Sequence, residues 1–359
     1  MSKILLLGGT GAMGVNLSRR LVERGYDVSV TSRRERPDAD GIRYVRGNAK
    51  DKSFLEKTLG EVKPDAVVDF MSYGSAEFAE RKDVLLNATG QYVFTSSCRV
   101  FAGEDVHTER SPRLLDVCTD AEYLKTDEYA LAKARSENML LDSGCRNWTI
   151  VRPCITYAYP RLQLGCLEAN AFLPRVAQGL AVPMPAEMME KRTTMLYGDD
   201  VAEMIARLVL NEKALGEDFN TVTAENHTWG EVANIYAKAI GLKTVSCTLE
   251  EYKMFCSPYQ VQYGRMVHHC FDNAKVLAAT GMKQSDLTQL VNQLPVELGK
   301  WKSHPEAVKI DIMRNAKVDR VLGTRMHFVG WRDNLEYIRI RHPLIGKAMR
   351  IASAIKRRI

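Results

Sequence analysis

The sequence predicts an α/β protein: a doubly wound parallel sheet with a smaller, interleaved substrate lobe toward the C-terminus. Three observations predict it. A short apolar run, residues 3–7, breaks into Gly8-Gly9-Thr10-Gly11-Ala12-Met13-Gly14, after which Val15, Leu17, Leu21 and Val22 recur at helical spacing. Strand, glycine turn, helix is the context a dinucleotide site requires. Strand-length apolar runs then alternate with amphipathic stretches through the first half of the chain, which implies parallel strands joined by crossover helices. Finally, 359 residues with 45% hydrophobic and 26% charged side chains are those of an ordinary globular protein able to bury a large core.

The elements follow in order. In the glycine turn, missing side chains let backbone N–H groups approach a pyrophosphate, whose charge the helix N-terminus favours. Gly8, Thr10, Gly11, Ala12, Met13 and Gly14 are the expected contacts. Residues 26–31 read as the second strand. At its end a cofactor with a free ribose 2′-hydroxyl calls for Asp or Glu, and this chain has Ser32-Arg33-Arg34 instead. A guanidinium there can grip a 2′-phosphate and stack on adenine, so NADP(H) is expected over NAD(H), with Ser32 and Arg33 in contact. The competing reading is a solvated basic turn. Residues 42–45 form a third strand whose exit places Asn48 and Ala49 at the adenine edge. Asp51 caps a helix carrying Phe54, Leu55 and Leu59. Residues 66–70 are the fourth strand, with Met71 and Ser72 at its carboxyl end, where such sheets bind ligands. A helix over 76–86 leads to the fifth strand, 91–95.

That strand runs into Ser96-Ser97-Cys98-Arg99-Val100-Phe101, and a later helix holds Tyr129-Ala-Leu-Ala-Lys133. A spacing of four places tyrosine and lysine on one helical face. A tyrosine in water, with a pKa of about 10, is a poor proton donor or acceptor at neutral pH. A neighbouring ammonium favours the phenolate and makes the pair useful. A serine hydroxyl from the strand end can hold the substrate oxygen. Tyr129, Lys133 and Ser97 therefore fit hydride transfer between a nicotinamide and a carbinol or ketone. Taken alone, the Tyr/Lys pair also suits a core tyrosine with a wet tip.

With these residues in hand, the chain resembles an extended short-chain dehydrogenase/reductase, the NAD(P)-dependent epimerase/dehydratase family of nucleotide-sugar enzymes. The likeness runs from Lys3 to about Lys283. It rests on the glycine turn, Thr95-Ser96-Ser97 ahead of Val100-Phe101, Tyr129 with Lys133, Val151-Arg152-Pro153, Gly198-Asp199-Asp200-Val201-Ala202, Phe219-Asn220 and Phe271-Asp272-Asn273-Ala274-Lys275. The resemblance implies a Rossmann sheet, a nucleotide-sugar substrate and a homodimer. It assigns the catalytic serine to Ser97, with Ser96 as its structural neighbour. It also directs Pro153 and Ile155, at the exit of a sixth strand over 148–151, toward the nicotinamide. The segment 156–194 would cover the substrate, with Tyr157 and Arg192 as contacts; a cation suits a nucleoside diphosphate, and the family's phosphate-binding arginine aligns within one residue of Arg192. A surface cation is the competing reading of Arg192.

Three departures qualify the likeness. Phe101 stands where the family usually has tyrosine. Cys98-Arg99 replaces the Asp-Glu pair of the 4,6-dehydratases, which argues against dehydration. The stretch between Phe70 and Gln91 is short, which shortens one of the two helices the family uses to dimerise. That shortening, with arginine after the second strand, also resembles a branch containing chloroplast RNA-binding proteins. It supplies the alternative: a non-catalytic RNA-binding or redox-sensing protein on the same fold.

The second half is expected to interleave with the first. Residues 1–157 form the nucleotide-binding domain, rejoined near 196–222. Residues 158–300 otherwise form the substrate lobe, with helices over 167–180 and 228–240, the latter opening on a Thr228/Glu231 capping box, while a helix over 199–209 belongs to the returning segment. Residues 301–359 are an extension. Eight cysteines without a CxxC pair, and no clustered ligand set, indicate reduced thiols, no metal and a cytoplasmic setting. No DNA partner is expected, and RNA is the lesser reading. The net charge of +6 is uneven: Ile338 to Ile359 holds seven Lys or Arg and no acid. A helix over 343–359 would carry Ile345, Ala348, Met349, Ala352, Ile355 and Ile359 on one face, suited to a partner or to the inner surface of a membrane. The competing reading packs it on its own body.

Overall fold

A computed structural model of the protein describes residues 1–103 and 106–344. Seven strands form the central sheet: β1 (Lys3–Leu7), β2 (Asp27–Ser32), β3 (Ile42–Arg46), β4 (Ala66–Asp69), β5 (Gln91–Thr95), β6 (Trp148–Pro153) and β7 (Glu217–Thr221). They lie in the order β7-β6-β5-β4-β1-β2-β3, and every neighbouring pair is parallel. The chain moves outward from β1 through β3, then crosses back to β4 beside β1. The switch point therefore lies between the carboxyl ends of β1 and β4, where doubly wound sheets bind ligands.

Both faces of the sheet are covered, which is why its strands read as continuous apolar runs. Side chains alternate between faces. Ile4, Leu6, Val28, Val30, Val68, Val93 and Val151 share one core with Leu17 and Leu21 of helix α1 (Ala12–Glu23) and with Val201 and Ile205 of the helix Gly198–Leu208. Leu5, Leu7, Val67, Tyr92, Phe94 and Ile150 share the other with α2 (Lys52–Val62), α3 (Ser75–Asn87) and Leu140 of α4 (Tyr129–Leu141). Asp51 caps α2 as expected, accepting the Phe54 N–H at 3.0 Å. The helix Gly198–Leu208 is fastened to α1 by Arg20, which reaches Asp199 at 2.8 Å and Glu203 at 2.6 Å.

The chain divides into two compact units, one of Met1–Ala158, Thr194–Asn226 and His268–Gln293, the other of Tyr159–Thr193, His227–Val267 and Leu294–Ile359. Residues 268–293, expected in the substrate lobe, fall in the first unit. They belong with the sheet because Thr288 donates its N–H to Asp200 at 2.8 Å, Gln284 reaches Thr223 at 2.8 Å and Lys275 pairs with Asp218 at 3.0 Å.

In the second unit, the strands Val182–Pro185 and Thr244–Cys247 pair in parallel. The helix Trp229–Ile240 carries the expected Thr228/Glu231 capping box. The helix predicted over 167–180 is shorter, Ala169–Ala177, because Leu167–Glu168 turns back as a strand against Gln163–Leu164. Residues 301–344 are not a detached extension. Arg175 of that helix and Asp319 of the helix Ile312–Leu322 form a fully buried ion pair at 2.8 Å, and Asp319 also accepts from Tyr337 at 2.6 Å and from the Met326 N–H at 2.8 Å. Most of the basic helix expected over 343–359 lies outside the described residues. Among the described residues no helix is long and apolar enough to cross a membrane and no cluster could hold a metal. All eight cysteines are free.

Candidate active site

The glycine turn sits at the switch point and its shape depends on missing side chains. Gly8 has φ +70°, and a Cβ there would lie 2.6 Å from Met71 Sδ. A Cβ on Gly14 would lie 2.5 Å from the Gly9 backbone, so α1 can pack this close to the turn only with glycine. Gly11 is different: a Cβ there would meet nothing within 4 Å. It is the N-cap of α1, has no side-chain cap, and no acidic residue follows in the first turn. Backbone donors facing open space suit an anion, and the residues present therefore fit a dinucleotide pyrophosphate.

Some neighbouring cofactor candidates lie on segments that contacts tie to this turn. The Gly8 N–H donates to Thr31 Oγ1 at 2.9 Å, which brings the end of β2 alongside. There Ser32 is buried and its hydroxyl closes a turn onto the Arg34 carbonyl at 2.8 Å. Arg33 is exposed and makes no ion pair among the described residues, whereas Arg46 is engaged by Glu35 at 3.0 Å. Asn48 and Ser72 are exposed, Ala49 is buried, and Met71 is half-buried. On the far side, Thr156 Oγ1 lies 3.7 Å from Met13 Sδ, which brings the segment after Pro153 and Ile155 to the start of α1.

Tyr129 and Lys133 share a face of α4, as the spacing requires. Lys133 is 4% exposed. Its ammonium donates to the carbonyls of Thr95 at 2.6 Å and Met71 at 3.3 Å, and stands 4.6 Å from the Phe94 ring and 5.9 Å from the Tyr129 ring. Tyr129 is 38% exposed and is the first residue of the helix. It is held there by Glu128, the N-cap, which accepts the Ala130 N–H at 2.8 Å. Glu128 is fixed in turn by Arg99 at 2.7 Å and the Tyr123 hydroxyl at 3.1 Å. The Arg99 guanidinium lies 5.4 Å over the Tyr129 ring. Ser97 Oγ accepts the Arg99 N–H at 3.2 Å, capping the turn that carries it out of β5.

Two buried carboxylates brace this arrangement. Asp69, at the end of β4, accepts the Met71 N–H and the Tyr92 hydroxyl, each at 2.8 Å. Burial pushes its carboxyl up to about 6, against the pull of those donors and of Lys133. By holding Met71, Asp69 holds one of the two carbonyls beneath the ammonium. Glu137, one further helical step of four beyond Lys133, takes the Ser96 hydroxyl, Arg152 at 2.8 and 3.0 Å, and Arg113 at 3.1 Å. Arg152 then reaches Asp218 of β7 at 2.6 Å. Ser96 is thus tied into the framework, and Ser97 is the serine left at the sheet edge.

Within the first unit, one sequence candidate does not join this cluster. Tyr157 is fully buried with its ring 5.9 Å from that of Tyr197, and presents no surface to a ligand. Arg192 belongs to the second unit, where Arg192–Thr193 pairs with His227–Thr228, and it is exposed. The sequence reading missed Asp69, Arg99, Glu128 and Glu137 as parts of the site, and Thr95, whose buried hydroxyl has no hydrogen-bond partner among the described residues. Only Glu137 left a local signal, by extending the four-residue spacing of Tyr129 and Lys133.

This sheet, turn and helix pair define an extended short-chain dehydrogenase/reductase. Residues 4–221, more than half of the chain, match the NAD dependent epimerase/dehydratase family, and the chain belongs to it. The chloroplast stem-loop binding protein of 41 kDa b from Arabidopsis thaliana is 28% identical over 257 residues, covering 67% of this chain and 63% of that protein. This chain thus spans less than two thirds of that relative's length. The 2'-dehydrokanamycin reductase of Streptomyces kanamyceticus is 26% identical over 246 residues, 67% of each chain. Among solved structures, dTDP-glucose 4,6-dehydratase from Bacillus anthracis in complex with NAD aligns with a TM-score of 0.67 at 15% identity, covering 86% of this chain and 98% of that one. That last likeness is one of fold.

Proposed function

We propose that the protein is an NADP(H)-preferring oxidoreductase acting on a nucleotide-linked sugar, as a 4-ketoreductase or an epimerase. The observation that carries the reading is the Lys133 ammonium, buried against two carbonyls on the same helical face as a partly exposed Tyr129. The glycine turn, residues 8–14, would hold a nicotinamide dinucleotide, which when bound would supply or accept the hydride. Tyr129 gives a proton to the substrate oxygen, or takes one from it. Lys133, its ammonium 5.9 Å from the Tyr129 ring, places a positive charge on the same side of the helix as the phenol, and its two carbonyl bonds stop it from swinging away. Ser97 Oγ holds the substrate oxygen in place. Arg33, exposed at the end of β2, supports a 2′-phosphate and hence NADP(H); NAD(H) is the alternative, and the solved dehydratase carries NAD. Among cations of the second unit, Arg192 is our candidate for the diphosphate.

Dehydration is disfavoured by the residues after Ser97. Cys98 is buried, its thiol pushed up by desolvation, and Arg99 is committed to Glu128. Neither of the two residues directly after the serine is a carboxylate that could move a proton to a leaving hydroxyl. The relative named as a reductase supports reduction over epimerisation. Free thiols throughout support a cytoplasmic setting.

A screen for thermal stabilisation by CDP-, GDP-, UDP- and dTDP-sugars, each with NADP(H) or NAD(H), tests the reading. The expected result is stabilisation by NADP(H) and by one nucleotide class, followed by turnover. Stoichiometric loss of reduced-cofactor absorbance identifies a reductase, and turnover without net cofactor change an epimerase. Failure of every dinucleotide to stabilise the protein would reject the enzymatic reading. It would leave the second one, RNA binding on this fold, which the 28% identity to a stem-loop binding protein favours; retention of a stem-loop RNA by the same preparation tests that.

A further inference from the structure

We propose that residues 329–344 form a docking surface for a lipid bilayer bearing anionic headgroups. The net charge of the whole chain lies in the stretch of sequence that starts here: residues 331–359 hold eight Lys or Arg against Asp333 and Glu336, so residues 1–330 sum to zero, and Arg332, Arg339 and Arg341 are the cations of this stretch among the described residues. The apolar surface is in the same place. Val329 is 108% exposed, Trp331 71%, Leu335 38% and Leu344 84%. The helix Trp331–Arg341 explains why. It buries Tyr337 and turns Ile338 and Ile340 toward the core around Ala316 and Met326. That leaves Trp331 and Leu335, with Arg332, Glu336 and Arg339, lining an open groove of about 680 Å³.

Single exposed aliphatic side chains are commonplace, but an indole and an aliphatic lining one groove with two arginines, and a further exposed aliphatic at each end of the same helix, mark an interaction surface. The chemistry selects the occupant. A nucleic acid would use the cations and the indole, but has no use for Val329, Leu335 and Leu344. A bilayer uses all of them: indole and aliphatics enter the boundary between headgroups and acyl chains, while arginines meet anionic headgroups. From Leu344 onward the sequence keeps interleaving Ile, Met and Ala with Lys and Arg and contains no acid, so the charge complementarity extends to the end of the chain.

The protein carries its own probe. Of its four tryptophans, Trp148, Trp229 and Trp301 are buried and Trp331 is exposed. Full-length protein is mixed with vesicles of phosphatidylcholine alone, or of phosphatidylcholine with phosphatidylglycerol, and tryptophan emission is recorded. The expected result is a blue shift with the anionic vesicles only, quenching by brominated lipid, and reversal by salt. Replacing both exposed arginines (Arg332→Ala with Arg339→Ala) should weaken vesicle binding about thirtyfold, at roughly fivefold per cation removed. An unchanged unfolding temperature shows that the variant folds, and brominated-lipid quenching needs no variant at all. Four outcomes overturn the proposal. The anionic vesicles cause no shift. Trp331 is already shielded from acrylamide in dilute buffer, so that the chain itself covers the groove. Shielding grows with protein concentration, so that a second copy does. Or stem-loop RNA shields Trp331 where vesicles do not.

Discussion

Replacing Glu137 with leucine tests whether the buried ion network carries the geometry of the site. Glu137 is fully buried and its carboxylate serves Arg152 through two contacts at 2.8 and 3.0 Å, as well as Ser96 and Arg113. Removing it strands a guanidinium that is 4% exposed. Breaking a buried pair in this way costs roughly 3–5 kcal/mol. Arg152 keeps Asp218 at 2.6 Å, and Arg113 keeps Asp116 at 2.9 Å in a partly exposed position, so the low end applies, about 3 kcal/mol. For a unit of this size that is a fall in Tm of roughly 6–12 °C, read by calorimetry or circular dichroism. Replacing Arg152 with methionine in the same chain removes the stranded charge, and the double variant should recover at least half of the loss. Because Ser96 loses its acceptor next to Ser97, turnover should fall more than cofactor affinity. A Glu137→Leu protein within about 1 kcal/mol of the parent, or a double variant that loses the sum of both singles, would refute the reasoning.

Three further outcomes are expected. Tyr129→Phe should lower turnover by about 10²–10⁴-fold with dinucleotide stabilisation retained, since the residue is partly exposed at a helix start; activity above a tenth of the parent's would remove the phenol from the proton transfer. Arg33→Ala should raise the KM for NADPH by about ten- to a hundredfold, the worth of a charge-assisted hydrogen bond of roughly 1.5–3 kcal/mol, and leave that for NADH unchanged; equal effects on the two cofactors would return Arg33 to the solvent. Asp69 carries a pH prediction. Its folded pKa of about 6 lies above the ordinary carboxyl value, so the native state holds more protons than the unfolded chain between about pH 4 and 6. Its contribution is fully present below that window and is lost as pH rises through it, by about 3 kcal/mol. Carboxylates held low, such as Asp116 and Asp218, act in the opposite sense, so the readout is the difference between parent and Asp69→Asn in denaturant midpoints across that range. Parallel curves for the two proteins would show that Asp69 is charged throughout.

The parts of the site that could be read from the sequence are those whose partners lie nearby along the chain. The glycine turn announces itself because Gly8 takes a positive φ and Gly14 packs against the Gly9 backbone, both within one strand–turn–helix. Asp51 and Thr228 cap helices three residues ahead of their bonding partners. Tyr129 and Lys133 meet because helical pitch brings every fourth residue together. The framework beneath them was hidden for the converse reason. Asp69 is useful only once Tyr92 crosses to it from the next strand, and Glu137 only once Ser96 and Arg152 arrive from two others. A lone Asp or Glu in an apolar stretch does not declare such partners. The same limit explains residues 268–293, which return to the sheet through Thr288 and Gln284, side chains without a pattern of their own. Boundaries shifted where pairing extended a strand, as at Pro153, which lies opposite Thr221 of β7.

The sheet's outermost strand at one end is supplied late. β6 ends at Pro153, and the row of amides and carbonyls on its open side waits for Glu217–Thr221. During synthesis, some sixty intervening residues must leave the ribosome before that row is covered, at roughly 5–20 residues per second. For that interval the nascent protein presents a bare edge able to pair with another chain. A premature stop just past residue 158 makes the exposure permanent, and such a fragment should aggregate in the cell more than the full chain.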